Sequence, residues 1–289
     1  MSVTNVANIW DAQMSPDGTS VVTAASSGAA DVWNMESSQR LASFSHQADV
    51  YGAQFSPDGT RVVTASRDKT AVLWDVASSR RVASFPHQGI VYGAHFSPDG
   101  TQVVTASSDR TAAVWAVVSG ERVRTLQLDE PVRTALFSPD GARIVTASTD
   151  GSAAVWDVAT TRRLASFSHG DAAPHVQFSP DATRVITASD DETAIVWDVG
   201  SGRRLASLSH GKMVWSAQFS PDGTRIVTAS ADKTAAVWSA PPPDAPDREF
   251  ITTFRARVHA LKWCLTDDER ATYFLPPMPA ERRAAECGE

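Results

Sequence analysis

Cysteine is nearly absent from this chain: 289 residues contain two, Cys264 and Cys287, both close to the C-terminal end. No disulfide framework can hold such a fold together. The same usage suits a reducing compartment, so a cytoplasmic location is expected. Long apolar runs are missing as well, and none approaches the roughly 20 residues that a membrane helix needs. The first ten residues show no charged segment followed by an apolar stretch, which argues against a secretory leader. Cations are in the minority, with 26 Lys and Arg against 33 Asp and Glu and a net charge of -7. Phosphate backbones and anionic membranes need clustered cations, so neither nucleic acid nor membrane is expected as a partner. The pairs Arg80-Arg81, Arg162-Arg163 and Arg203-Arg204 recur at one register and read as solvated strand edges. His95, His175 and His259 stand apart, without metal-ligand spacing, and no metal or cofactor is expected.

What the chain has in abundance is repetition. Ser-Pro-Asp begins at residues 15, 56, 97, 138, 179 and 220, and a tryptophan falls at 33, 74, 115, 156, 197 and 238, both series spaced by 41 residues. Such a period with strand-like content implies stacked supersecondary units, each unable to bury its faces alone. It also favours binding over catalysis, because repeat folds present broad surfaces.

In the second copy, Val50 to Phe55 reads as a short strand. Ser56-Pro57-Asp58-Gly59 is a tight turn in which Pro presets φ, Asp bonds back to the backbone and Gly takes a positive φ. The β-branched run Arg61 to Ser66, the segment Thr70 to Trp74 and the segment Arg81 to Phe85 supply three more strands. Four antiparallel strands per unit describe a propeller blade.

The unit resembles the WD40 repeat. It has a His before the first strand, Ser-Pro-Asp-Gly, an Asp six residues before the Trp, and Trp-Asp at 74–75, 156–157 and 197–198. The dipeptide is altered at Trp33-Asn34, Trp115-Ala116 and Trp238-Ser239, and the family's Gly-His is here Ser-His or Pro-His. The resemblance covers about residues 5 to 254 and implies an all-β propeller of six four-stranded blades, with a seven-bladed ring as the alternative. Residues 1–254 are the expected propeller and 255–289 a non-repeating tail. The capping box Thr266-Asp267-Asp268-Glu269 predicts a short helix through Phe274. Val258-x-x-Leu261-x-Trp263 echoes a first strand, so a degenerate seventh blade stays open. With six blades, the last outer strand is expected at Glu249 to Phe254, and blades one and six are expected to join by face packing alone.

The resemblance also implies a buried network of His, Thr, Asp and Trp within a blade. Its members are His46, Thr64, Asp68 and Trp74; His87, Thr105, Asp109 and Trp115; His169, Thr187, Asp191 and Trp197; and His210, Thr228, Asp232 and Trp238. Copy one has Asn5 and Ser27 in place of His and Asp, and copy four has Leu128 in place of His, so these blades are expected to be less rigid. Thr, His and Asp together resemble a nucleophile constellation, but a catalytic site does not recur four times in one register, and no catalytic residue is assigned.

The copies differ most where a partner would bind. One register reads Trp10, Tyr51, Tyr92, Arg133, Pro174 and Trp215. In the WD40 family it lies on the top face, at the rim of the central channel. Asp49 belongs to a second variable register, and Arg67 and Asp190 to a third. In a closed ring Trp215, Trp10, Tyr51 and Tyr92 form one aromatic arc with Arg133 beyond it. Aromatics and Arg dominate interface energetics, and the nearby Asp49 and Asp190 suit a basic or Pro-containing peptide. The alternative is that these rings plug the channel mouth. The expected function is thus a monomeric, non-catalytic scaffold for a protein or peptide. The tail from Cys264 to Pro277 resembles those of bacterial WD40-repeat proteins that carry STAND, TIR or caspase-like modules, which offers a sensor or regulatory role in signalling or defence as the alternative.

Overall fold

Short β-branched runs separated by Ser-Pro-Asp-Gly turns give short strands and little else. The computed structural model describes residues 7–173 and 175–242, with the backbone of Arg248–Glu249 and Thr252–Arg257. Sheet one holds β1 (Ile9–Met14), β2 (Ser20–Ala25), β3 (Ala29–Asn34) and β4 (Arg40–Ser45). Sheet two holds β5 (Val50–Phe55), β6 (Arg61–Ser66), β7 (Thr70–Asp75) and β8 (Arg81–Pro86). Sheet three holds β9 (Val91–Phe96), β10 (Gln102–Ser107), β11 (Thr111–Ala116) and β12 (Arg122–Gln127). Sheet four holds β13 (Val132–Phe137), β14 (Arg143–Ser148), β15 (Ser152–Asp157) and β16 (Arg163–Ser168). Sheet five holds β17 (His175–Phe178), β18 (Arg184–Ala188), β19 (Thr193–Asp198), β20 (Arg204–Ser209) and, at its edge, β24 (Arg248–Glu249). Sheet six holds β21 (Val214–Phe219), β22 (Arg225–Ser230), β23 (Thr234–Ser239) and β25 (Thr252–Arg257).

Each sheet has four antiparallel strands, with β24 added parallel to β20 in sheet five, and the first strands of successive sheets pack in order, β1 on β5, β5 on β9, and so on to β21. The architecture is that of WD40 propeller blades, six in number among the described residues. The turns follow their chemistry. In the second copy Ser56 Oγ donates to Asp58 Oδ1 at 2.5 Å and accepts from Arg61 N–H, while Gly59 takes φ 72. Copy five has Ala182 at the glycine position, held at φ 56, a region that costs a side-chain-bearing residue about 1–2 kcal/mol.

The core lies between sheets rather than within them. Val22, Ala24, Ala30, Val32, Ala42 and Phe44 of sheet one interlock with Val50, Ala53, Phe55, Val62, Val72 and Trp74 of sheet two. Four further clusters repeat this seam down to sheets five and six. An outer-strand Phe stacks on the next sheet's Trp: Phe44 on Trp74, Phe85 on Trp115 and Phe167 on Trp197, each with centroids 5.2 Å apart.

Two expectations need correction. The outer strand of sheet six is Thr252–Arg257, whereas Arg248–Glu249 runs parallel to β20 on sheet five. The copy-six hairpin is interrupted by Pro241-Pro242-Pro243 and Pro246, which have no N–H to give a ladder. The chain therefore visits the neighbouring sheet before resuming its own. Second, blades one and six do not join. No packing of the kind that links the other neighbours exists between them among the described residues. Ile9 and Met14 on one end and Val227 on the other are 42%, 59% and 42% exposed, although most of their counterparts at inner seams are fully covered. The helix expected through Phe274 and the seventh-blade strand at 258–263 lie outside the described residues.

Candidate functional site: the rim and channel of the blades

The network residues meet as hydrogen-bonded chains. In blade two Trp74 Nε1–H donates to Thr64 Oγ1 at 2.8 Å, and Thr64 Oγ1 lies 2.7 Å from His46 Nε2. His46 Nδ1 is 2.8 Å from Asp68 Oδ2. An ionised carboxylate only accepts, so Nδ1 carries the proton and the Thr hydroxyl donates to Nε2. Each link polarises the next, which stiffens the blade.

The same chain joins Trp115, Thr105, His87 and Asp109 in blade three. It joins Trp197, Thr187, His169 and Asp191 in blade five. In blade six Trp238, Thr228, His210 and Asp232 repeat it, with a longer last link of 3.3 Å. Burial lowers the pKa of His46, His87 and His169, and the Asp partner only partly offsets it. Burial alone would raise Asp68, but hydrogen bonds from Thr70 and His46 outweigh it and hold the carboxyl low. All six Trp are anchored this way. Blades one and four keep only the indole bond, Trp33 to Thr23 at 3.1 Å and Trp156 to Thr146 at 2.9 Å. Asn5 lies outside the described residues.

The variable register gathers on one rim, at the start of the first strands. Trp10 and Tyr51 have ring centroids 6.0 Å apart, Tyr51 and Tyr92 are 5.9 Å apart, and the Arg133 guanidinium sits 4.3 Å over Tyr92. Four consecutive blades therefore contribute one row of contacting side chains, with the ring planes tilted by 59° and 42°. Trp10 is 52% exposed and forms its open end. Trp215, 59% exposed, makes no ring contact with Trp10 among the described residues, because the ends of the arc stand apart. The continuous arc expected of a closed ring is thus split between blades six and one.

Asp49, Arg67 and Asp190 sit at the same end of their blades. Arg67 N–H donates to the Asp49 carbonyl at 2.9 Å, and Asp190 N–H to that of Ala172 at 2.8 Å. The backbone fixes these positions while the side chains form no ion pair among the described residues. The row is therefore flanked in blade two by one carboxylate, at Asp49, and one cation, at Arg67.

Sequence reasoning missed the polar lining below the rim. Asp11 follows Trp10, accepts Ala53 N–H at 3.2 Å, and has its pKa raised by burial, with that bond opposing the shift. Further down, Gln54 Oε1 accepts Phe96 N–H at 2.8 Å and Gln177 Oε1 accepts Phe219 N–H at 2.9 Å, each tying one blade to the next. His95 and His175 point into the channel from blades three and five, each with a buried Nδ1 that has no hydrogen-bond partner. Burial pushes both imidazoles down to about 4, and His175 acts on His95 in the same direction. The period-2 alternation of the first strands carried the signal, since Asp11, Gly93, His95, His175 and Gln177 share the face opposite to the core residues Ala94 and Val176. At the far mouth Phe55, Phe96, Phe137 and Phe178 line a cavity of about 430 Å³ together with His95 and Pro98.

Among the described residues no cluster of three or more His, Cys, Asp or Glu could hold a metal, and no helix is long and apolar enough to cross a membrane. Comparison with curated proteins gives no match. The WD domain, G-beta repeat family matches at residues 38–75, 79–116, 120–157, 162–198 and 202–239. Each matched unit begins at or just before the outer strand of one sheet and continues through the first three strands of the next, so it straddles a seam of the core. Those units cover more than half of the chain, and the protein belongs to the WD40 repeat family.

Proposed function

We propose that this chain is a non-catalytic scaffold that binds a protein or peptide segment on the rim formed by Trp10, Tyr51, Tyr92 and Arg133. WD40 repeats generally serve as protein-interaction scaffolds. The observation that carries the specific reading is the row of contacting rings itself, with its open end at an exposed Trp10. Trp, Tyr and Arg are the side chains that most often dominate binding energy. Arg133 already covers Tyr92, so a ligand's cation is directed to the exposed face of Trp10. Peptides with a basic residue next to Pro or an apolar residue fit that surface.

Selection from a displayed random-peptide library tests the reading. Wild type is expected to enrich peptides of that composition, and Trp10→Ala/Arg133→Ala to enrich none of them. Enrichment of the same peptides by both proteins would move the interface off the rim.

A further inference from the structure

We propose that the outer edge of blade four, β16, is a docking strand to which an extended acidic segment of a partner protein adds in parallel. The pentapeptide Arg-Arg-Leu-Ala-Ser occurs twice, at residues 162–166 and 203–207. One copy opens the outer strand β16 of blade four, and the other opens β20 of blade five. The two strands sit in the same ladder. Ala165 pairs with Val155 and Ser166 with Ala154, as Ala206 pairs with Val196 and Ser207 with Ile195. Both ladders shift register at the same place, beside Trp156 and Trp197. They differ in what lies beyond them. Ala206 pairs in parallel with Arg248 of β24, and Ser207 with Glu249. Sheet four ends at β16 among the described residues.

Exposure follows that difference. Leu205 and Ala206 are 0% exposed and Ser207 is half-buried, whereas Leu164 is 40% exposed, Ala165 is half-buried and Ser166 is exposed. Blade four thus leaves an apolar side chain and a strand edge open where blade five holds a strand. Charged residues usually keep an edge from pairing. The twin edge carries the same two Arg and pairs all the same, so the Arg pair does not exclude a strand but sets the charge of the one that fits. The stretch that supplies β24, Asp244 to Phe250, has three carboxylates and one cation. Arg162 and Arg163 are exposed and form no ion pair among the described residues. Asp157 of the same blade is taken up by Thr160. The other outer edges match less well. Arg40 of blade one lies 3.6 Å from Asp31, the Pro86 carbonyl of blade two accepts from Arg122, and β12 of blade three follows Glu121. The segment that fits β16 therefore carries carboxylates beside a short strand. Main-chain bonds hold such a segment, and the side chains of the edge choose it. This surface lies on the outer strands, apart from the rim, and does not rest on the rim reading.

A synthetic peptide with the sequence Asp244 to Phe250, blocked at both ends, is the probe. It is titrated into the full chain, and hydrogen exchange with mass spectrometry locates it. Saturable binding is expected, with slower exchange at the amides of β16 that face away from β15. Arg162→Glu/Arg163→Glu should weaken the peptide about tenfold, with Arg162→Gln/Arg163→Gln in its place if the reversal lowers the melting temperature. A peptide N-methylated at the residues matching Arg248 and Glu249 lacks the N–H groups for a ladder and should not bind. Equal binding of the N-methylated peptide would show charge attraction alone and overturn the proposal. Protection confined to β20 would overturn it too, as exchange with β24. So would no binding, or outward β16 amides already protected before peptide is added, the sign that residues beyond Arg257 or a second copy cover the edge.

Discussion

Acid should weaken this fold well before its carboxylates protonate. His95 and His175 sit in the channel at about 4, against an ordinary value of 6.5. Between those two values the unfolded chain binds protons that the folded chain refuses, so stability is full above pH 6.5 and falls as pH drops toward 4. At pH 5 the unfolded imidazole is almost wholly protonated and the folded one scarcely so, which costs about 2 kcal/mol per residue relative to neutrality. The pair together accounts for roughly 4 kcal/mol, a large share of an ordinary domain's stability. His46, His87 and His169 are shifted the same way and add to the loss. The chain itself suggests neutral replacements, since Gln54 and Gln177 occupy the register of His95, and Thr134 that of His175. Urea unfolding followed by tryptophan fluorescence, at pH 7 and pH 5 and constant ionic strength, is the assay. Wild type should lose several kcal/mol between the two pH values. His95→Gln/His175→Thr should lose about 4 kcal/mol less. An equal loss in both proteins would show that the channel histidines are not desolvated in the folded state, and the reasoning fails.

Further outcomes follow from the same structure. Thr105→Val removes the acceptor of Trp115 Nε1 and the donor to His87 Nε2 together. It should cost about 2–3 kcal/mol, whereas Thr23→Val breaks the Trp33 bond and a long bond to the Asp31 carbonyl but no bond to a His and should cost about 1 kcal/mol; denaturant midpoints of the two variants check the contrast. Ala182→Gly relieves a positive φ of 56 and should stabilise by about 1 kcal/mol, read as a rise in melting temperature. Gln54→Leu removes the bond to Phe96 N–H between blades two and three and should speed amide exchange at Phe96, which hydrogen exchange by mass spectrometry would detect.

Much of this architecture is legible in the chain because each copy carries its own turn chemistry. Ser-Pro-Asp-Gly fixes where the first strand ends, so Ile9–Met14 and Arg61–Ser66 lie where alternation and the β-branched run place them. The outer strand of sheet six was not legible, since a proline-rich interruption removes the hairpin that placed it in the other copies. The open seam was hidden for a different reason. Blades one and six share no core seam among the described residues, and a repeat pattern does not say whether its two ends meet. Yet two departures in copy one do mark an end face: Met14 in a register of Phe, and Asp31 in a register of Val, Ala and Ile. The rim row is readable as one variable register, because a fixed period brings equivalent positions together. His95 and His175 belong to blades that are not adjacent and to different registers, so only the channel brings them together.

Binding at the rim is the central claim, and a titration tests it most directly. A rim-selected peptide would be added to wild type and to Trp10→Ala/Arg133→Ala, with thermal melting of both recorded alongside. Both side chains are exposed, so the account predicts melting within a few degrees of wild type and affinity at least tenfold weaker, a loss of about 1.4 kcal/mol or more. Unchanged affinity would contradict the account, and so would a large fall in melting temperature, which would make the row a structural plug of the channel mouth.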